Sequence, residues 1–535
     1  MGAAESRVRP SVWLVEACAS LEPVEVDEVV SLCRRAANAK GQPETSSSCP
    51  SNSTECALYV LEHERTLGLQ THHDCSNITD ALRDAFATPP MVHAVLHRLG
   101  DTISTRGDGF VTGNDSSKNP PVGVLGKLLA AIASCKRAAY GNKDDALVLI
   151  QAVLDTCASQ VTSLEVTDKT KFFERLIEEL AFSATRDAAL LDDDATNKFL
   201  AYLALDGAKT YFASGGSGNS TSTVSSSKKK HRNQFRDTVS RSMYDASLPS
   251  RRGKLLPKLV GVDGETSLMT EKKESPLLAP TAAWFLGLSC PSEWRVKWRQ
   301  VFDSTKHGAS FVSFLNNTKN VGPTLVLIQT KIGYVLGGLT SLSLKSGSDF
   351  FGDEKSFVFS LGKLFGAEES SADDASSFDF GVHRPTGVNS HFCYCAQGFT
   401  SERFPNGVGF GGQIGHFSLF LSSDFERGHA RHTAATFGGV RLIGDAHASS
   451  AEKTGALLSS DDGTINQDGS FEVEKVAAYA VDGDFAKRLL EKNVLENRRG
   501  AHGGGGGVLS QKYAETRMLL DVARRDAGGA ERQDR

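Results

Sequence analysis

A chain of 535 residues is too long for one hydrophobic core, so two or three folded units are expected. Hydrophobic residues make up 40% and charged residues 23%, the balance of an ordinary globular protein rather than a disordered or collagen-like one. A formal net charge of −5 excludes a global pull toward nucleic acid or anionic lipid, and no apolar run reaches the roughly 18–20 residues that cross a bilayer.

The first residues read MGAAESRVRP. Gly2 with Ser6 matches M-G-x-x-x-[ST], in which removal of Met1 exposes an amine for myristoylation; an ordinary start that matches by chance is the alternative. Arg7 and Arg9 would add attraction to anionic headgroups. One myristoyl chain gives only reversible membrane contact, so residues 1–11 are expected to act as a lipidation segment. This start lacks the apolar core of a secretory signal. The ten cysteines form no C-x-x-C pair, so reduced cytosolic thiols are expected.

Residues 12–213 read as a helical domain. Val26, Val29, Val30 and Cys33 follow Pro23 at helix spacing, and residues 40–56 are polar and loop-like. Leu147, Ile150, Leu154, Cys157 and Val161 predict one amphipathic face. Thr167 and Asp168 would cap a helix whose stripe is Phe172, Phe173, Leu176, Ile177 and Leu180. Phe199, Leu200 and Leu203 suggest one more helix. Acid–glycine pairs near Asp101 and Asp108 lack the ligand spacing and closing Glu of a calcium loop, as does Asp192-Asp193-Asp194. His72-His73-Asp74-Cys75 carries metal-ligand residue types, but without a partner cluster it reads as a surface loop.

Residues 214–280 are expected to be a linker, Gly/Ser/Thr-rich at first and then basic at Lys228-Lys229-Lys230-His231-Arg232. The basic run reads as a solvated charge cluster, with a nuclear-import or phosphate patch as the alternative. From residue 281 the chain returns to packed structure. Thr324–Thr330 and Tyr334–Leu339, broken by Lys331-Ile332-Gly333, predict a β-hairpin. Alternation places Phe417, Leu419 and Leu421 on one face of a strand, with His416, Ser418 and Phe420 on the other.

Seven stretches occur in order: WRQVFDSTKHGASFVSFL (298–315), GPTLVLIQTKIGYVLGGLTS (322–341), FFGDEKSFVFSL (350–361), RPTGVNSHFCY (384–394), PNGVGFGGQ (405–413), FSLFLSSDFERGHA (417–430) and FEVEKVAAYAVDG (471–483). Together they resemble the TLDc domain of the oxidation-resistance protein family. The resemblance implies an α+β chain: an α-helical N-terminal half, then over residues 281–483 a sandwich of two antiparallel sheets flanked by helices. It implies binding rather than catalysis, with subunits of the vacuolar-type proton ATPase as partners, a link to oxidative-stress resistance, and no cofactor. The Gly2 start and tail place the layout near a lysosome-linked branch of the family, which adds mTOR-pathway proteins as partners. The expected location is the cytoplasm and the cytosolic face of lysosomal, vacuolar or other endomembranes. Asp424, His429 and Arg431 are the partner-binding candidates in the domain.

The resemblance implies an acidic residue in the closing strand where this chain has Ala477, and alanine cannot serve as a general acid or base. Asp353 and His429 remain as weak acid/base candidates, Asp353 reading more readily as a cap for local amides. His391, Cys393 and Cys395 alternate and would share one strand face. They are weak zinc or thiol-redox candidates, but neighbours spaced about 7 Å apart on a strand close poorly on one ion, so small core residues are favoured. An oxidative-stress enzyme or thiol sensor, and a membrane-trafficking scaffold, are the alternative functions.

Residues 441–470 read as a surface insertion. Residues 484–535 form a tail in which Gly503–Gly507 tether an amphipathic helix over 509–525. Tyr513, Leu519 and Leu520 mark its apolar side, for a partner groove or for folding back on the chain's own domain.

Overall fold

The computed structural model describes residues 10–37, 48–69, 82–83, 85–86, 88–108, 123–161, 169–185, 193–212, 234–251, 256–261, 277–365, 378–400, 404–443 and 469–482. They fall into two compact units, one of Met1–Asp193 with Leu203–Leu256, the other of Asp194–Tyr202 with Pro257–Arg535. The lipidation segment with Gly2, the His72 to Cys75 run, the basic run 228–232, most of the 441–470 insertion and the tail with Tyr513, Leu519 and Leu520 lie outside the described residues.

The first unit is helical. It contains α1 (Val12–Ser20), α2 (Pro23–Ala36), α3 (Ser53–Thr66), α4 (Pro90–Asp108), α5 (Val124–Ala139), α6 (Lys143–Val161), α7 (Lys169–Thr185), the later part of α8 (Asp194–Phe212) and α9 (Gln234–Ser247). The start of α2 is set locally. Pro23 occupies its first turn, and Glu22 and Glu25 form a reciprocal capping box. Its buried face is the predicted one, Val26, Val29, Val30 and Cys33. Asn52 caps α3 by accepting from the Thr54 amide at 3.0 Å, so this helix begins inside the stretch expected to be a loop.

α5 is the centre of the unit, packed by α1, α3, α4, α6 and α9. Gly126, Ala130, Ala131, Ala133 and Ala138 are buried along it, and such small side chains let neighbouring backbones approach closely. On α6 the buried face is Ala146, Leu149, Ala152 and Val153, whereas Leu147, placed on the apolar face by its spacing, is exposed. The two stripes are offset by about one residue, a rotation of roughly 100° about the helix axis. An apolar-rich helix offers more than one stripe, and contacts with α4 and α5 choose between them.

The expectation of a flexible linker over 214–280 fails for residues 234–247, which form the buried helix α9. Its apolar anchors Phe235, Val239 and Met243 recur every four residues but are diluted by polar ones. Those polar residues are satisfied on folding. The Tyr244 hydroxyl donates to Glu25, Lys136 Nζ lies 2.9 Å from Glu25, and Arg251 Nη2 lies 3.2 Å away. Lys136 and Arg251 also lie over the Tyr244 ring, at 5.6 and 4.8 Å from its centroid. Burial alone would raise the Glu25 carboxyl. The bonds from Tyr244, the Glu22 amide and Lys136 outweigh burial and hold it below the usual carboxylate range.

In the second unit come β1 (Lys258–Val260), α10 (Pro280–Ser289), β2 (Lys297–Asp303), α11 (Ser304–His307), α12 (Phe311–Thr318), β3 (Thr324–Thr330), β4 (Tyr334–Thr340), β5 (Phe357–Lys363), β6 (Gly381–His383), β7 (Cys393–Ala396), β8 (Gly407–Phe410), β9 (Leu419–Ser422), β10 (Arg427–Ala430) and β11 (Ser470–Ala480). The β3–β4 hairpin falls where the Lys331-Ile332-Gly333 break predicts it. Gly333 has φ +95, and a Cβ there would lie 1.8 Å from the Phe365 carbonyl oxygen, so only glycine fits the turn.

β11 joins two sheets. Its first residues, Ser470–Glu472, pair with β10, which continues through β9 and β8 to β7. Its later residues pair with β3 on one edge and β2 on the other, and β3 continues through β4 and β5 to β6. All these pairings are antiparallel; β1 adds to β2 in parallel. The two halves face each other where Gly338 of β4 lies against the Phe410 ring of β8. This is the expected helical half followed by an antiparallel β-domain. α10 is apolar on every side and is buried throughout Pro280–Leu288. Phe199, Phe285 and Phe380 form an aromatic cluster in this unit with centroids 5.4–5.8 Å apart. The unit therefore takes in residues 194–202, ahead of the boundary expected at 213.

The alternation expected at 416–421 does not run through. The strand begins at Leu419, and Phe417 stacks on Phe420 at 5.0 Å instead of facing away from it. Both belong to a cluster with Tyr394 and Ala396. The chain before Leu419 is an irregular turn, so period-two spacing loses its meaning there.

Candidate functional site

The β9–β10 turn carries two of the partner-binding candidates on or beside it. Asp424 accepts from the Ser422 hydroxyl, and from the Glu426 amide at 2.9 Å. Burial opposes ionisation, but the Ser422 hydroxyl and the amides of Glu426 and Arg427 hold its carboxyl below the ordinary range. Asp424 is thus an exposed, ionised group that also shapes its own turn. His429, on β10, stacks on Phe420 at 5.2 Å. Arg431 follows the strand, and its Nη1 donates to the Gly415 carbonyl at 2.8 Å and lies 2.7 Å from His416 Nδ1.

Phe425 gives this turn its position. It has φ +59, a left-handed conformation that bulky residues rarely adopt. Its ring is buried 5.6–5.8 Å from Phe302, Phe311 and Phe314, which hold the turn against β2 and α12. The strain of roughly 1–2 kcal/mol is offset by burial of an aromatic side chain. Phe425→Gly is therefore expected to destabilise by about 2–3 kcal/mol, because lost packing of about 3–5 kcal/mol exceeds the relieved strain. A urea midpoint equal to or above that of the parent chain would refute this reading.

Beside the turn runs a polar edge. Lys331 Nζ lies 2.7 Å from Glu472 Oε2. Glu474 and Glu426 contribute to the field at Lys331, and Arg427 pairs in register with Glu472. The Lys331–Glu472 pair is solvent-exposed and contributes little to stability. Its location matters more: acidic and basic side chains stand in a row at the β11 end where the two sheets meet.

The acid that sequence reasoning passed over is Asp303, only 5% exposed at the end of β2. One carboxylate oxygen accepts from the Thr305 amide at 3.0 Å and hydroxyl at 2.7 Å, capping α11. The other accepts from Gln300 at 3.0 Å and lies 3.8 Å from Lys475 Nζ. His307 Nδ1 accepts from the Asp303 amide at 3.0 Å, and its ring stacks on Phe302. Asp303 stands opposite Ala477, which is fully buried between β2 and β3. The clue was the order Asp-Ser-Thr-Lys-His-Gly, an Asx cap ahead of a glycine-terminated turn. Four partners occupy the Asp303 carboxylate, and that satisfaction suits a structural knot better than a proton carrier.

Asp353 lies before β5. Its carboxylate accepts from the Lys355 amide at 2.8 Å, and its own amide donates to Ser341 Oγ at 2.8 Å. The Ser341 and Ser356 hydroxyls are 3.2 Å apart, and Cys393 Sγ is 3.7 Å from Ser356 Oγ. The fold thus brings Asp353 and Cys393 to one polar seam, a proximity that spacing along the chain does not show. His391 goes elsewhere. It precedes β7, donates through Nδ1 to the Gly412 carbonyl 2.8 Å away, and stacks on Phe350 at 4.4 Å. The expected shared face of His391, Cys393 and Cys395 therefore fails, because the extended strand starts only at Cys393. Among the described residues no group of three His, Cys, Asp or Glu is placed to hold a metal ion. Burial pushes the Cys393 and Cys395 thiols up to about 12, so both are protonated at neutral pH.

One long strand, β11, joins the two sheets of this domain, and its polar residues lie in caps and on an exposed edge. Residues 271–453 match the TLDc domain family model. Over that stretch the chain is similar to proteins that carry a TLDc domain. Among curated proteins it is similar to "MTOR-associated protein MEAK7" of Danio rerio, 35% identical over 163 residues, which cover 30% of this chain and 32% of that protein. It is similar also to the proteins of the same name from Xenopus laevis, 30% identical over 241 residues (45% of this chain, 42% of that protein), and from Homo sapiens, 29% identical over 168 residues (31% and 33%). The matches thus span less than half the length of these relatives.

Proposed function

We propose that this chain is a non-catalytic adaptor whose TLDc domain docks on a protein partner and couples it to mTOR-type growth signalling. The observation that carries this reading is the similarity of the chain to relatives named as mTOR-associated, together with the TLDc match. The exposed edge of Lys331, Asp424, Glu426, Arg427, Glu472 and Glu474 supplies a surface for it. Mixed charge on a rigid strand end favours fast, selective encounter more than raw affinity.

Within this proposal the partner is a subunit of the vacuolar-type proton ATPase. Gly2 acylation gives reversible contact with a lysosomal or vacuolar surface, and residues 509–525, whose spacing reads as amphipathic, make a second contact. Two weak contacts on one chain raise effective concentration. A thiol-dependent protective enzyme has less support, because Cys393 and Cys395 are buried and their thiols lie near 12.

The test is affinity purification of the full chain from cells. Pump subunits and mTOR-pathway proteins are expected to co-purify. Glu472→Lys with Glu474→Lys is expected to reduce their recovery, and Gly2→Ala to shift the chain from membranes to the soluble fraction. Recovery of neither partner class by the full chain would overturn the proposal.

A further inference from the structure

Three buried thiols meet in the helical unit. Cys49 Sγ lies 2.9 Å from Cys56 Sγ, and the Cys56 thiol is also hydrogen-bonded with Cys18 of α1. All three are reduced and less than a tenth exposed. Their arrangement is held from both sides. The Cys49 amide donates to both oxygens of Asp27, at 3.0 and 3.1 Å, and the Tyr59 hydroxyl donates to the same carboxylate at 2.9 Å. Tyr59 stands on α3 just beyond Cys56, and Asn52 caps that helix between the two cysteines. Asp27 of α2 therefore clamps the segment carrying Cys49 onto the helix carrying Cys56.

We propose that Cys49 and Cys56 form a reversible disulfide, made by exchange with a small disulfide of the glutathione class, with Cys18 as a third, exchanging thiol. The sulfurs must close from 2.9 Å to about 2.05 Å, a movement of roughly 0.9 Å that side-chain rotation supplies. Cys49 is the first to react. It lies outside any helix, between exposed Ser48 and half-buried Pro50. Its thiolate attacks one sulfur of glutathione disulfide, breaking that S–S bond and releasing one glutathione. The Cys56 thiolate then attacks the Cys49 sulfur of the mixed disulfide and expels the second glutathione. The two protein thiols lose two electrons, glutathione disulfide gains them, and the two thiol protons pass to the departing glutathiones.

Proximity and reactivity act separately here. Burial, followed by the bond to Cys56, pushes the Cys49 thiol up, and the bond to Cys18, followed by burial, does so for Cys56. Few thiolates are present at neutral pH, so exchange is slow. The clamp raises the local concentration of one sulfur at the other, so the ring-closed product is favoured once formed. Attack by Cys18 on the Cys56 sulfur would move the bridge to one between α1 and α3.

The experiment equilibrates the full-length protein with a series of oxidised-to-reduced glutathione ratios. Samples are quenched in acid, capped with maleimide, digested and read by mass spectrometry. A Cys49–Cys56 linked peptide, lighter by two hydrogens, is expected to grow with the oxidised fraction and to vanish on reduction. Cys49→Ser is expected to abolish it, whereas Cys393→Ser leaves it unchanged. Asp27→Ala keeps all three thiols but releases the clamp, and the linked fraction is expected to fall. The proposal is overturned if Cys49 and Cys56 both stay capped as free thiols at the most oxidising ratio. It is equally overturned if the native chain yields no more of this pair than the urea-unfolded chain.

Discussion

Glu64→Ala is expected to destabilise the helical unit by about 3–5 kcal/mol, among the largest effects of any single substitution in it. Glu64 lies on α3 and is 1% exposed. Its Oε1 accepts from the Gly126 amide at 2.7 Å, and the Gly123 and Leu125 amides also donate to it. These are the first amides of α5, the central helix, whose own N-cap residue, Gly123, has no side chain to offer. A carboxylate from a neighbouring helix does the capping instead, at the positive end of the helix dipole. Alanine would leave several buried amides without their acceptor. Glu64→Gln keeps the acceptor oxygen and is expected to cost less than half as much. The check is a urea titration followed by far-ultraviolet circular dichroism; equal losses for alanine and glutamine would show that the amides are not the cause.

The same residue gives a pH signature. Burial outweighs the amide bonds and raises the Glu64 carboxyl above its unfolded value. Its contribution is therefore fully present below the unfolded carboxylate pKa of about 4.3, and is lost as pH rises through the folded value. Glu25 acts in the opposite sense. Its folded pKa is lowered, so its contribution is present above about 4.3 and lost as pH falls through the folded value. Glu64→Gln should remove the first dependence and leave the second.

Gly338→Ala is expected to cost about 1–3 kcal/mol, and Gly338→Val more, through the β-domain. A Cβ at Gly338 would lie 2.6–2.7 Å from three carbons of the Phe410 ring. Phe410 is buried on β8, paired with Leu419 and Cys393, so its ring has little room to retreat. Gly338 itself is fixed at the centre of β4, between Val326 and Val358. The substitution would push the two sheets apart at their point of contact. Phe410→Leu should relieve part of the clash, so the double variant is expected to be more stable than the sum of the single losses allows. Strict additivity in that double-mutant cycle would disprove the contact.

Much of this fold can be read before any coordinates. The stripe Val26, Val29, Val30 and Cys33, the stripe from Phe172 to Leu180 and the hairpin at Lys331-Ile332-Gly333 are local patterns, and local patterns survive folding when neighbours agree with them. α9 was hidden because its buried face includes Asp237, Ser240, Ser242 and Asp245, residues that composition assigns to solvent. The choice of Leu149 over Leu147 on α6 depended on which neighbours pressed against it. In the candidate site, the cap at Asp353 was legible from its place after Gly352, but its proximity to Cys393 was not.

By itself the sequence determined that a helical half precedes a glycine-punctuated β-domain of the TLDc type, because periodicity, turn chemistry and ordered motifs are properties of neighbouring residues. Only the tertiary structure decided that Glu64 caps a helix on another part of the chain, that Phe425 wedges a strained turn against β2, and that Cys49 faces Cys56 across the start of α3. Those outcomes depend on contacts between residues distant in sequence or at irregular spacing. Their energies come from burial and from satisfying polar groups away from water, and neither exists until the chain has closed around them.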